Sequence, residues 1–180
     1  MQHKPREYDF NQQLKMSQGQ VAGASVERVL LDNIPGACAV HSAHQANDRN
    51  GTDWWVEMRT GSFLSVDAKV RSVDWLPKGK DDLALETWSV VEAKKVGWTR
   101  DPSKRTDYVL WLWQDTGRWC LIPFQMLCKV FDKNWQGWSA EFQRNRQHTP
   151  SQSGGYHSEC VFVPRRVLWG EIYKHFGGAA

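Results

Sequence analysis

"DRNGTDWWVEMRTGSFLSVDAKVR", residues 48–71, reads as two short strands joined at "TGS". A three-residue loop containing Gly is a common hairpin connection. Side chains alternate between the faces of a strand, so Ser65, Asp67, Lys69 and Arg71 share one face. Leu64, Val66, Ala68 and Val70 share the other, which is uniformly apolar and fixes which side is buried. If Thr60–Gly61–Ser62 is the loop, Asp53 lies opposite Lys69, and Trp55 opposite Asp67. Both carboxylates and the ammonium then point the same way.

Two carboxylates on neighbouring strands repel each other unless something positive lies between them. A divalent cation meets that need, because hard oxygen ligands suit Mg²⁺ and Mn²⁺. Mg²⁺ keeps several waters, so few protein ligands suffice. A lysine two residues from one ligand is then placed to orient water or to stabilise charge developing on a phosphate. Phosphodiester hydrolysis is the chemistry that uses such a set. The plain alternative is a surface ion pair of Lys69 with Asp53 or Asp67.

The same stretch resembles the core of the PD-(D/E)XK nucleases, especially branches with a D-x-x-G-x-D loop before the second core strand. The resemblance covers roughly residues 20–113. It implies that Asp53 is the first motif acid, Asp67 the second and Lys69 the motif lysine. "GASVERVLL" resembles the glutamate-bearing helix upstream in that family, which implies Glu27 as a further ligand of metal or water. "DYVLWLW" resembles a later core strand. The implied fold is α/β (α+β): a restriction-endonuclease-like αβββαβ core, with a central mixed sheet flanked by helices. The implied activity is Mg²⁺-dependent cleavage of DNA, with Mn²⁺ able to substitute. Thr52 stands where the family often has proline, the second acid is Asp where Glu is commoner, and no QxxxY-type signature follows. These departures motivate a rival: a non-catalytic module of the same fold that binds DNA or a protein, such as a phage or mobile-element factor acting against a host system.

The remaining residues fit one domain over residues 1–180, with a frayed first ten. The length is ample for a buried core, and the 41% hydrophobic and 24% charged residues are those of an ordinary globule. No apolar run is long enough to span a membrane, and the N-terminus lacks the apolar centre of a signal peptide. A cytoplasmic protein is expected, with a homodimer as the assembly. Helical patterning runs over 11–31, 124–132 and 168–176. Short strands are expected at 38–40, 83–91, 108–113, 119–122 and 160–163, with "HTPSQSGG" a flexible loop. Glu86, on the strand after the hairpin, is a further candidate metal ligand.

The net charge of +3 is too small to identify a partner. Its distribution says more, because Lys94, Lys95, Arg100, Lys104 and Arg105 cluster with a single acid, Asp101. Those five, with Trp98 to stack on a base, are the expected DNA contacts. Arg144/Arg146 and Arg165/Arg166 form lesser clusters. Most of the eleven tryptophans belong to the core. The four cysteines, Cys38, Cys120, Cys128 and Cys160, form no CxxC pair, and free thiols are expected. Cys38, His41, His44, His157 and Cys160 have spacings that zinc could use, but surface histidines and free thiols are the better reading. No GxxxxGK[ST] phosphate loop is present.

Overall fold

The computed structural model describes residues 20–43, 51–150 and 154–177. Its described residues form a mixed α+β structure with three α-helices. The chain divides into two compact units. Of the described residues, one unit comprises 20–75 together with 103–125, and the other 76–102 together with those from 126 onward.

The first unit is built on the hairpin. Strands β1 (Ala37–Ser42), β2 (Trp54–Met58), β3 (Phe63–Arg71), β6 (Tyr108–Trp113) and β7 (Trp119–Pro123) form a sheet in the order β1-β2-β3-β6-β7. β3 and β6 are parallel, and every other neighbouring pair is antiparallel. Helix α1 (Gln20–Asn33) covers one face, placing Val26, Leu30 and Ile34 against Val56, Val66, Leu110 and Leu112. Each such fully buried aliphatic side chain stabilises the fold by about 1.5–3 kcal/mol. Leu64, Ala68 and Val70 pack against the same cluster, so the apolar face of the hairpin is the one expected. Helical patterning over 11–19 falls outside the described residues.

The hairpin register differs by one loop residue from the expected one. The loop is Arg59–Thr60–Gly61, closed by hydrogen bonds from the Met58 N–H to Ser62 O (2.9 Å) and from the Gly61 N–H to Met58 O (2.8 Å). In three-residue hairpin loops the last residue takes the left-handed conformation. Gly61, at φ +80°, supplies it, whereas a 60–62 loop would force Ser62 there. Trp54 therefore pairs with Val66 and Trp55 with Ser65. The face assignment survives, because the shift moves the pairing by two positions.

Between β3 and its parallel neighbour β6 the chain leaves this sheet. Residues 72–107 contain two 3₁₀ turns (Leu76–Lys78 and Trp98–Arg100) and strands β4 (Asp82–Val90) and β5 (Lys95–Val96), but no α-helix. An αβββαβ core would use a helix there. "LALETWSV" alternates with a period of two, burying Leu83, Leu85 and Thr87, and so builds a strand.

β4 and β5 belong to the second unit, with β8 (Arg144–Thr149) and β9 (Tyr156–Pro164), in the antiparallel order β5-β4-β9-β8. β8 carries no apolar alternation. Two arginines hold it beside β9: Arg146 Nε lies 2.9 Å and Arg144 Nη1 3.6 Å from the buried Glu159 carboxylate. Helix α2 runs from Phe124 to Glu141, further than expected, because Trp135 and Trp138 continue its apolar side. Trp138 packs on Phe131 with ring centroids 6.0 Å apart. Helix α3 (Arg165–Phe176) starts directly after Pro164. No described helix is long and apolar enough to cross a membrane.

Candidate active site

On the face of the five-stranded sheet opposite α1, the hairpin register sets Asp53 beside Asp67. The Asp53 N–H donates to Val66 O (3.0 Å), and Asp53 Oδ2 accepts the Ala68 N–H (2.8 Å). Lys69 Nζ donates to Asp67 Oδ1 at 2.7 Å. The Asp67 side chain is only 8% exposed and that of Lys69 26%. The three groups expected from the sequence are thus brought together, in a slightly different pairing.

The electrostatics are unbalanced. Burial raises the Asp53 pKa from its ordinary 3.8 to about 7, and the neighbouring Asp67 charge adds to the rise. Lys69 and the Ala68 N–H pull it down without compensating. Burial alone would lower the Lys69 pKa, but the charges of Asp67 and Asp53 together hold it above 10.5. Burial and the adjacent acid together leave Asp53 holding a proton near neutrality.

Several local devices fix this geometry. Gly51 sits at φ +87°, a backbone conformation that calls for glycine, and packs against the Lys104 side chain. Thr52 is buried and its Oγ1 donates to Arg105 O at 3.3 Å. Ser65, two residues before Asp67, is clasped by Asp107 at the start of β6. Asp107 Oδ2 accepts both the Ser65 N–H (2.7 Å) and the Ser65 hydroxyl (2.8 Å), while the Asp107 N–H lies 2.9 Å from Ser65 Oγ. Thr106 Oγ1 also reaches Ser65 O at 3.2 Å. This clasp sets the parallel register of β3 and β6 across a long excursion of chain. No sequence signal marks it, because Ser65 and Asp107 meet only once the two strands pair.

The other candidate ligands are placed differently. Glu27 is exposed, on a helix that packs against the face opposite the carboxylates. Glu86 lies on β4, outside the sheet that carries Asp53 and Asp67, and its Oε2 accepts the Trp98 N–H at 2.9 Å. A Cβ on Gly97 would strike the Glu86 backbone at 2.2 Å, so Glu86 serves to seat this turn. Among the described residues, no group of three or more His, Cys, Asp or Glu side chains is placed to hold a metal ion.

The basic segment is divided between the units. Lys94 and Lys95 are exposed at the turn into β5, whereas Lys104 and Arg105 belong to the unit of the acid pair. Arg100 is a correction to the expected DNA surface. Its side chain is 15% exposed, with the guanidinium 4.0 Å from the Trp135 ring centroid and 5.3 Å from that of Trp88, and it lies 3.7 Å from Asp132. It packs as a cation between indoles rather than facing solvent. Trp98 is half-buried in the same turn.

All four cysteines are free thiols. Burial pushes the Cys128 thiol up to about 12, so it is unreactive. Cys38 Sγ donates to Glu57 O (3.3 Å), His41 bonds Glu57 (3.1 Å) and His157 bonds Glu92 (2.5 Å). His44 lies outside the described residues. Comparison with known proteins finds no matching family model, no matching curated protein and no matching solved structure.

Proposed function

We propose that this chain is a Mg²⁺-dependent nuclease of the PD-(D/E)XK type that hydrolyses phosphodiester bonds in DNA. One observation carries the reading: two adjacent carboxylates, Asp53 and Asp67, meet at Lys69 on one sheet face, and burial with the Asp67 charge raises Asp53 to about 7, so that it holds a proton near neutral pH. The donor set is two carboxylates, hard oxygen ligands of the kind that suit Mg²⁺ or Mn²⁺ with water completing the shell. The antiparallel β1-β2-β3 run with β6 parallel to β3 agrees with a restriction-endonuclease-like core. The strand-built excursion over 72–107 departs from it.

In this reading Asp53 and Asp67 would hold the ion, which would supply Lewis-acid chemistry to a phosphoryl oxygen and to water. Asp53 would have to give up its proton to serve as a ligand. Lys69 is fixed by Asp67 and sets its positive charge beside the reacting phosphate, where negative charge builds. Ser65 and Asp107 keep β3 in register, so both acids are held before any ligand arrives. Lys104 and Arg105, beside Gly51 and Thr52, bring positive charge to the phosphates next to the scissile one.

The rival reading is a non-catalytic module of the same fold that binds DNA or protein. It is favoured by the 2.7 Å Lys69–Asp67 bond and the Ala68 N–H on Asp53, which partly satisfy the acids without an ion. Incubation with linear, single-stranded and branched DNA in Mg²⁺ or Mn²⁺ separates the two. A nuclease cleaves at least one substrate, and Lys69→Ala abolishes the activity. If wild type and Lys69→Ala behave alike on all substrates, the assignment is lost.

A further inference from the structure

On the site face of the five-stranded sheet, exposure rises in one direction. Val109 and Ile122 at 0% and Trp111 at 1%, on β6 and β7, are fully covered. The acid pair and Lys69 come next. Beyond them, towards β1 and the hairpin loop, the face opens: His41 and Glu57 side chains are 54% and 40% exposed, and Phe63 is 52% exposed. The acids therefore lie at the boundary between a closed half and an open half.

The open half has aromatic residues at two successive steps. Trp55 pairs with Ser65, one step of the alternation from Asp67, and is half-buried without joining the apolar cluster beneath. Phe63 is one step further along the same face of β3, opposite Glu57. Each step along a strand face is about 7 Å. A single exposed aromatic residue is ordinary. Here the exposed ring lies in line with a half-buried indole and the carboxylates, on the face of the hairpin opposite α1. Glu57, the acid nearest this line, is turned towards β1 by its 3.1 Å bond to His41, and the exposed Arg59 lies in the hairpin loop.

We infer that Trp55 and Phe63 form a base-stacking track that leads one unpaired strand to the acid pair, so the substrate is single-stranded or frayed nucleic acid rather than intact duplex. Flat aromatic rings at successive steps offer stacking partners to unpaired bases of any sequence. In a duplex the base faces are already stacked and cannot use them. Phosphates remain on the solvent side, within reach of Arg59 at the loop end and of Lys69 at the acid end. The track rests on the nuclease reading for its purpose, but not for its binding.

The test measures binding in EDTA, where no cleavage occurs, with a short oligothymidylate, its abasic counterpart and a blunt duplex of equal length. Phe63→Leu keeps an apolar side chain without a π face, and Phe63→Tyr keeps the ring. Roughly a tenfold loss of oligothymidylate affinity is expected in Phe63→Leu. Phe63→Tyr should bind like wild type, the abasic strand should bind weakly to both, and the duplex should not distinguish the variants. Equal binding by wild type and Phe63→Leu, or an equal loss for duplex and single strand, overturns the track. If Phe63→Leu loses only single-strand binding while wild type cleaves nothing in Mg²⁺ or Mn²⁺, the track holds and the catalytic reading falls. If wild type cleaves single strands and Phe63→Leu keeps full activity and affinity, the catalytic reading holds and the track falls.

Discussion

Each of the two units buries an acidic residue on a sheet, and the two settings differ in charge balance. In the four-stranded sheet, Glu159 meets two arginines, Arg144 and Arg146, and accepts the Thr87 hydroxyl at 3.4 Å. Cations outnumber the acid, and the pairing fastens an edge strand that has no apolar pattern. In the five-stranded sheet two acids share one lysine, and a backbone N–H is the main other donor. Elsewhere in that unit a compensated acid recurs, where Arg118 grips the buried Asp74 through two 2.7 Å bonds and stacks 3.8 Å from the Trp113 ring centroid. Buried acids whose charge is compensated hold strands together. A pair of adjacent acids, one raised to about 7 by burial and its neighbour, is costly by itself, and under the proposed function a cation would offset that cost.

That contrast can be broken in several ways. The largest effect should be catalytic. Asp67→Ala is expected to lower DNA cleavage by roughly a thousandfold or more, the scale on which removing a key electrostatic group acts. Glu159→Gln should leave the rate per folded molecule unchanged, and single-turnover cleavage measures both. The next effect concerns stability. Removing Glu159 by Glu159→Ala leaves its arginines without their acid, but both are about half exposed, so the cost is discounted to about 1–3 kcal/mol in urea unfolding.

Asp53→Asn should have the opposite sign. Unfolded Asp53 titrates near 3.8 and the folded residue near 7, so the folded state holds the extra proton between those values. Stability therefore falls as pH rises across that window, and stays low above it. Asp53→Asn removes the loss and should stabilise the ion-free protein by roughly 1–2 kcal/mol at about pH 8, with little effect near pH 4. Unfolding midpoints in EDTA across pH measure this. The smallest effect separates the two halves of the basic segment. Replacing Lys104 and Arg105 by alanine should flatten the salt dependence of DNA binding by about 2 in log–log slope. The Lys94/Lys95 double variant, in the other unit, should change it less.

Much of this site is legible in residues 48–71, because a period of two and a glycine-centred loop determine which side chains share a face. Asp53, Asp67 and Lys69 can be grouped from that alternation alone. The exact pairing cannot, since it depends on whether Gly61 or Ser62 takes the left-handed loop position. The Asp107–Ser65 clasp and the exposure gradient towards Phe63 depend on strand order, which no local pattern encodes. Glu27 and Glu86 are plausible ligands by residue type, but their positions are decided by which face α1 covers and which sheet β4 joins. β8 is invisible in the sequence for a different reason, because ion pairs hold it in place of an apolar face. Arg100 looks like surface because charge is read locally, whereas Trp88 and Trp135 reach it from distant parts of the chain.

The central claim is that the Asp53–Asp67 pair is completed by a divalent cation that takes the place of a proton. Calorimetric titration of the ion-free protein with Mn²⁺ at about pH 6.5, in two buffers of different ionisation enthalpy, tests it most directly. The account predicts one saturable site per chain, release of a fraction of a proton approaching one, and loss of both signals in Asp67→Asn. Absence of binding, or binding that persists unchanged in Asp53→Asn and Asp67→Asn, would contradict it.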